Sequence, residues 1–193
     1  MARGIAHDHE EKRAAIRKGA AAYFAAHGYD RASMTGAAAQ CGVSKALIYH
    51  YYDSKEDLLY DILLAHLSSL METVEAVVPG PDYLRRMVRA ILLAYRAADA
   101  EHKLQADALA TLPADKRAPL VALQRRLVEA MDDALREAAA GTLQDPVRLR
   151  AVTMAVYGML NWFYMWHRPG KGISREDYAD LVADMVLGGM ARL

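Results

Sequence analysis

The residues SMTGAAAQCGVSKALIYHYY, Ser33–Tyr52, spell two short helices with a tight turn between them. Ser33 can cap the first helix by accepting backbone N–H bonds. Ala37, Ala38 and Ala39 are small enough for close helix approach. Gly42 permits the left-handed backbone that a tight turn needs, and Val43 can pack beneath it. Ser44 can cap the second helix and, from that end, reach a phosphate. The second helix then presents Lys45, Tyr49 and His50 as polar groups, with Leu47 and Ile48 available for core or thymine-methyl contacts. Cys41 beside the turn is read as a small buried residue in preference to a redox switch.

Outward from this stretch the pattern stays helical. Ala, Leu, Met, Arg and Glu dominate, and no segment alternates with period two. A first helix is predicted over Asp8–His27, with Ile16, Ala20, Tyr23, Phe24 and His27 on one stripe and Gly28 as its stop. Asp53-Ser54 precedes a long helix over Lys55–Val78. Pro79-Gly80-Pro81 is the strongest punctuation in the chain. Further helices are predicted at Tyr83–Ala98, Lys103–Thr111, Lys116–Ala140, Pro146–His167 and Arg175–Ala191, with a turn at Arg168–Gly172. The expected fold is all-α: an N-terminal three-helix helix-turn-helix domain joined by a long helix to a C-terminal helical bundle.

Composition narrows the classes. The chain has 193 residues, 54% hydrophobic and 25% charged, which suits a folded domain or two small ones and excludes disorder. Its 24 cations balance 24 acids. A uniformly basic coat is therefore excluded, and a nucleic-acid surface must be local. Residues 1–52 hold seven cations and four acids, leaving the rest at −3. One cysteine allows no intrachain disulfide. His7 and His9 lack further ligands at metal-binding spacing, so no metal and no cofactor are expected. Ala151–Trp166 is uncharged for 16 residues, short of the roughly 18–20 that cross a bilayer, and reads as a buried helix. The start turns charged at once, without an apolar signal core, so a cytoplasmic location is expected.

GVSKALIYHYYDSKEDLL (Gly42–Leu59), preceded by AAYFAAHGYDRASM (Ala21–Met34), resembles the DNA-binding domain of the tetracycline-repressor (TetR) family over roughly residues 12–64. The resemblance implies a helix-turn-helix domain at 1–52 and a ligand-binding and dimerisation domain at 53–193, with 53–78 as connecting helix. It implies that Ser33 and Thr35 meet phosphate from the start of the second helix. Ser44, Lys45 and Ala46 would open a recognition helix in the major groove, Tyr49 and His50 would touch phosphate or base edges, and Lys55 would meet phosphate from the long helix. Two positions depart from the family pattern. Ala37 stands where Ile or Leu is usual, and Gly36 replaces an acidic or polar capping-box partner, at about 1 kcal/mol against Ala in a helix interior.

For the remaining two thirds the resemblance implies a ligand cavity and a dimer seam. The last two helices of each subunit would form a four-helix seam, as a palindromic operator requires. Tyr95, Met131, Tyr157, Asn161 and Trp162 are the candidate ligand contacts, offering aromatic and methionine surface with a few polar handles. Arg85, Arg86, Arg89 and Arg96 put positive charge where an anionic effector such as an acyl-coenzyme A or an aromatic acid could enter. The function read from all this is a repressor released from double-stranded DNA by a small molecule. The alternative is an all-helical enzyme, but there is no di-iron His-Glu spacing, nucleophile motif or phosphate loop. Glu101-His102 is the nearest acid–base pair, and adjacent residues do not share a helix face. A membrane-surface or scaffold protein is disfavoured by the near-neutral bundle, so no membrane partner is expected.

Overall fold

The computed structural model describes residues 2–141, 143–168 and 170–190, with side chains from residue 7 onward. Pro169 in the predicted turn and Ala191 at the end of the predicted last helix lie outside the described residues. Among them are nine α-helices: α1 (Ala2–His27), α2 (Met34–Gln40), α3 (Lys45–Tyr51), α4 (Lys55–Glu75), α5 (Tyr83–Ala94), α6 (Asp99–Ala108), α7 (Ala114–Ala138), α8 (Pro146–Trp166) and α9 (Arg175–Met190). Short 3-10 turns follow α5 and α6 at Tyr95–Ala97 and Leu109–Thr111. The all-α expectation holds. α1 starts six residues earlier than the apolar stripe suggested, because residues 2–7 hold a single large apolar residue, Ile5, and leave no periodic mark.

The chain divides into two compact units. The first is Met1–His66 with Ala100–Leu120, and the second is Leu67–Asp99 with Val121–Leu193. In the first unit α1 buries Ile16, Ala20, Ala21 and Phe24. Gly28, at φ 79°, ends it. Ser33 Oγ accepts from the Gly36 N–H at 3.1 Å and starts α2. Gly42, at φ 66°, turns the chain, and the Val43 N–H donates back to Ala38 O at 3.0 Å. Ser54 caps α4 by accepting from the Asp57 N–H at 3.0 Å, with its own hydroxyl donating to the Asp57 carboxylate. Ala37 is fully buried, so neighbours have filled the space a larger residue would have taken.

The departure at Gly36 has a packing cause. A Cβ built there would stand 2.0 Å from the Tyr23 hydroxyl. The end of the α1 tyrosine occupies the volume that a larger side chain would need, so any residue but glycine at 36 would push the Tyr23 ring aside.

In the second unit α5 is sharply amphipathic and buries Leu84, Met87, Val88, Ile91 and Leu92. α8 opens on Pro146 after Asp145, whose carboxylate accepts from the Val147 N–H at 2.9 Å. It buries Leu149, Thr153, Val156, Tyr157, Leu160 and Phe163. α9 carries two apolar faces. Ala179, Val182, Ala183 and Val186 turn inward, while Leu181 and Met185 are exposed.

Candidate functional site

α3 is built to be held on one side and open on the other. Ser44 Oγ accepts from the Leu47 N–H at 3.0 Å and sets the start of the helix. Ile48 is fully buried and Leu47 half-buried, while Lys45, Ala46, Tyr49 and His50 are exposed. Positions 45, 46, 49 and 50 share one helix face. Tyr49 is 42% exposed, an unusual placement for an aromatic, and the Lys45 ammonium lies 5.9 Å from its ring. Ser33 and Thr35 at the start of α2 are exposed as well. Seven of the eight residues proposed for DNA contact thus lie on the surface of the first unit.

The anchor of α3 was not legible beforehand. Its C-cap residue, Tyr52, is buried and donates its hydroxyl to Asp61 Oδ2 at 2.7 Å. Arg13 Nη2 and Nε donate to the same carboxylate at 2.8 and 2.9 Å, and Arg17 Nη1 at 3.3 Å. Burial, helped by the Asp61 carboxylate, pushes the Tyr52 phenol well above its ordinary range. One buried acid on α4 therefore ties α1 and the end of α3 together. The only sequence signal was an acid at the i+3 position of the α4 apolar stripe that begins at Leu58.

The same contacts correct the charge argument. Arg13 and Arg17 share Asp61 and Glu10, Lys12 pairs with Asp8, and Lys18 pairs with Glu101. Among the described side chains of residues 1–52, Lys45 and Arg31 remain as exposed cations outside any ion pair. Lys55, expected to meet phosphate, is half-buried. Its ammonium donates to Tyr29 O at 3.0 Å, Ala32 O at 3.2 Å and Asp30 O at 3.5 Å, and sits 4.3 Å from the Tyr29 ring. Three carbonyls at the end of a loop make a better cation socket than solvent offers, so Lys55 ties the α1–α2 loop to α4. The Cys41 thiol is half-buried, donates to Ile16 O and has its pKa raised by burial, the opposite of what a reactive thiol needs. Of the two tyrosines at the end of α3, Tyr52 is buried, while Tyr51 is half-exposed with its ring 4.6 Å from that of His9.

The second unit gathers most of the candidate effector contacts. The Tyr95 hydroxyl donates to Asn161 Oδ1 at 3.1 Å, and the Tyr157 hydroxyl donates to Leu127 O at 2.7 Å. Tyr95, Met131 and Tyr157 are buried, and burial raises the phenol pKa of both tyrosines. These phenols stay neutral donors at any ordinary pH. Trp162 does not join them. It is 61% exposed, because α8 turns it to the opposite side from its buried residues. It lies with Met154, Met165 and Trp166 on the outer face of α8, and α9 contributes the exposed Leu181 and Met185.

The arginines expected at a cavity mouth are engaged elsewhere. Arg85 pairs with Asp184 and Asp180, Arg89 with Asp180 and Arg96 with Glu176, a ladder clamping α5 and its 3-10 extension to α9. Arg86 donates to Val78 O. Arg175, unremarked in the sequence, is buried and donates to both oxygens of Asp99 at 2.8 Å, with its guanidinium 5.0 Å from the Phe163 ring. A cleft of about 740 Å³ near Arg96, Asp99, His167, Lys171 and Arg175 therefore has most of its cations already paired. Among the described residues no group of three or more His, Cys, Asp or Glu is placed to hold a metal ion, and no helix is long and apolar enough to cross a membrane.

Two family models match successive parts of the chain. A family model for bacterial regulatory proteins of the tetR family matches residues 16–62. A second, for the tetracyclin repressor-like C-terminal domain, matches residues 78–190. The HTH-type transcriptional repressor KstR2 of Rhodococcus jostii (strain RHA1) is 25% identical over 182 residues, covering 89% of this chain and 87% of that protein. A TetR-family transcriptional regulator from Bordetella parapertussis 12822 superposes with a TM-score of 0.85 at 32% identity, covering 94% of this chain and 96% of that one. AibR, solved in complex with isovaleryl coenzyme A and operator DNA, superposes with a TM-score of 0.78 at 28% identity, covering 90% and 97%.

Proposed function

The chain belongs to the TetR family of bacterial transcriptional regulators, and from that premise we propose that it is a homodimeric repressor, released from a palindromic operator when a small hydrophobic or anionic effector binds its second unit. The family and its relatives are regulators, not enzymes, and the all-helical enzyme reading is set aside. One observation carries the proposal: α3 exposes Lys45, Ala46, Tyr49 and His50 on one face while Ile48 on the other is fully buried. That is the arrangement of a helix meant to enter a major groove. Ser44, Lys45 and Ala46 would approach base edges, Tyr49 and His50 would contact base or phosphate, and Ser33 and Thr35 would hold the backbone. Lys55 is left to the loop it already ties.

The exposed apolar residues of α8 and α9 support a two-fold seam, which would present two copies of α3 to one duplex. Tyr95, Met131, Tyr157 and Asn161 support an effector site whose buried phenols and half-buried amide could exchange internal hydrogen bonds for ligand ones. AibR was solved with isovaleryl coenzyme A, and this makes acyl-coenzyme A thioesters the first class to try. An effector releases the operator only to the extent that it binds the released state more tightly. α4 begins in the first unit and ends in the second, and is the element we assign to that coupling.

Operator affinity measured against salt tests the reading. Few exposed cations predict a shallow slope, and Lys45→Ala should flatten it by about 1 per half-site. A slope of zero, or one that Lys45→Ala leaves unchanged, rules out groove binding by α3. An acyl-coenzyme A series titrated into the complex then tests the effector class, with the free carboxylic acids as comparison.

A further inference from the structure

Resting on the DNA-binding reading above, we infer that Tyr23 is an additional operator-contact residue, its hydroxyl donating to a backbone phosphate beside Thr35. Tyr23 comes from α1, not from either helix of the helix-turn-helix. Its ring lies directly over Gly36: a Cβ built at residue 36 would stand 2.0 Å from the hydroxyl oxygen and 2.4 Å from Cζ. Residue 36 follows Thr35 in the chain, and its N–H is the one that donates to Ser33 Oγ. The Ser33 and Tyr23 hydroxyls therefore both lie against residue 36, and the exposed Thr35 precedes it in the chain. The Ser33 oxygen accepts from backbone, which leaves its hydrogen free to donate. Among the described residues the Tyr23 and Thr35 hydroxyls have no hydrogen-bond partner.

Packing explains the ring and leaves the hydroxyl over. Tyr23 stacks 4.4 Å from His27 and 6.0 Å from Phe24, contacts a phenylalanine would make equally well. Ring and hydroxyl together crowd residue 36, where the glycine costs a helix about 1 kcal/mol against alanine and forfeits a capping-box partner, but only the hydroxyl is left without a packing role. A phenol held half-exposed at this spot, with its O–H unused, matches a phosphate oxygen in chemistry. α2 is too short to supply a site of its own, and the inference does not use its dipole. The contact is neutral, so it adds affinity without displacing counterions, and it is indifferent to base sequence.

These properties set the test. The probes are a labelled duplex carrying the site the wild-type protein selects from a randomised pool, and a random-sequence duplex of equal length. Tyr23→Phe is expected to weaken binding to both by the same factor, about tenfold, with an unchanged salt slope and an unchanged melting temperature. Gly36→Ala, whose methyl displaces the ring, should lose at least as much. Wild-type affinity in Tyr23→Phe overturns the inference, as does a reduced salt slope or a loss confined to the selected site. Failure of the wild-type protein to bind either duplex overturns the DNA-binding reading and this inference with it.

Discussion

Asp61 shows how much one side chain can organise. Its carboxylate is nearly buried and accepts from Arg13, Arg17 and Tyr52 at once. Removing one partner of a buried charge cluster leaves the others uncompensated. Arg13 and Arg17 keep partial access to water, which moderates the loss. Asp61→Ala is expected to destabilise the fold by about 2 kcal/mol in chemical denaturation. Operator affinity should fall with it, since the end of α3 loses its tether.

His66 makes the second prediction at this scale. Burial, with His102 at 6.1 Å and Lys18 nearby, holds its pKa down at about 4. The unfolded chain takes up this proton near pH 6.5, whereas the folded chain resists it until about pH 4. The stability from keeping His66 neutral is therefore complete above pH 6.5 and is lost progressively as pH falls toward 4. Melting temperature should decline from pH 7 to pH 5, by the equivalent of about 2 kcal/mol. His66→Gln should flatten that decline, and an unflattened curve would assign it to other groups.

Among the helices, two kinds of arginine contact on α9 separate by burial. The Arg85, Arg89 and Arg96 ladder lies at the surface, where long side chains lose entropy and water screens the charges. Arg89→Ala should cost less than about 1 kcal/mol. Arg175 opens the same helix but is buried against Asp99 and Phe163. Arg175→Ala leaves a carboxylate and a ring without their partner and should cost about 3 kcal/mol. Denaturant midpoints of the two variants measure the contrast.

For the molecule as a whole, the exposed apolar face of α8 and α9 is the feature that most needs a partner. Trp162, Met165, Trp166 and Met185 are too much apolar surface to leave facing water. The wild-type protein is expected to sediment as a dimer, and the double variant Trp162→Glu, Met185→Lys as a monomer at the same concentration. Its operator affinity should collapse by orders of magnitude, because a single recognition helix forfeits the second half-site. A variant that remains dimeric would move the seam to another surface.

What the sequence determined by itself was local. The caps at Ser33 and Ser44, the stop at Gly28 and the turn at Gly42 act over three or four residues, so their chemistry can be read along the chain. Once those ends are set, helical periodicity offers Lys45, Tyr49 and His50 as the polar groups of α3, while the burial of Ile48 came with the packing. The tertiary structure alone decided what depends on partners far apart in the chain. Lys55 went to carbonyls 23 to 26 residues away, Asp61 to arginines 44 and 48 away, and the α5 arginines to acids 91 and 99 away. The stripe rule cannot tell which of two apolar helix faces meets the core, so Trp162, Leu181 and Met185 were assigned only by packing. Gly36 was an unexplained weakness until Tyr23 was found in its place. Hydrogen bonds and volume exclusion work through space, and sequence distance carries almost no information about either.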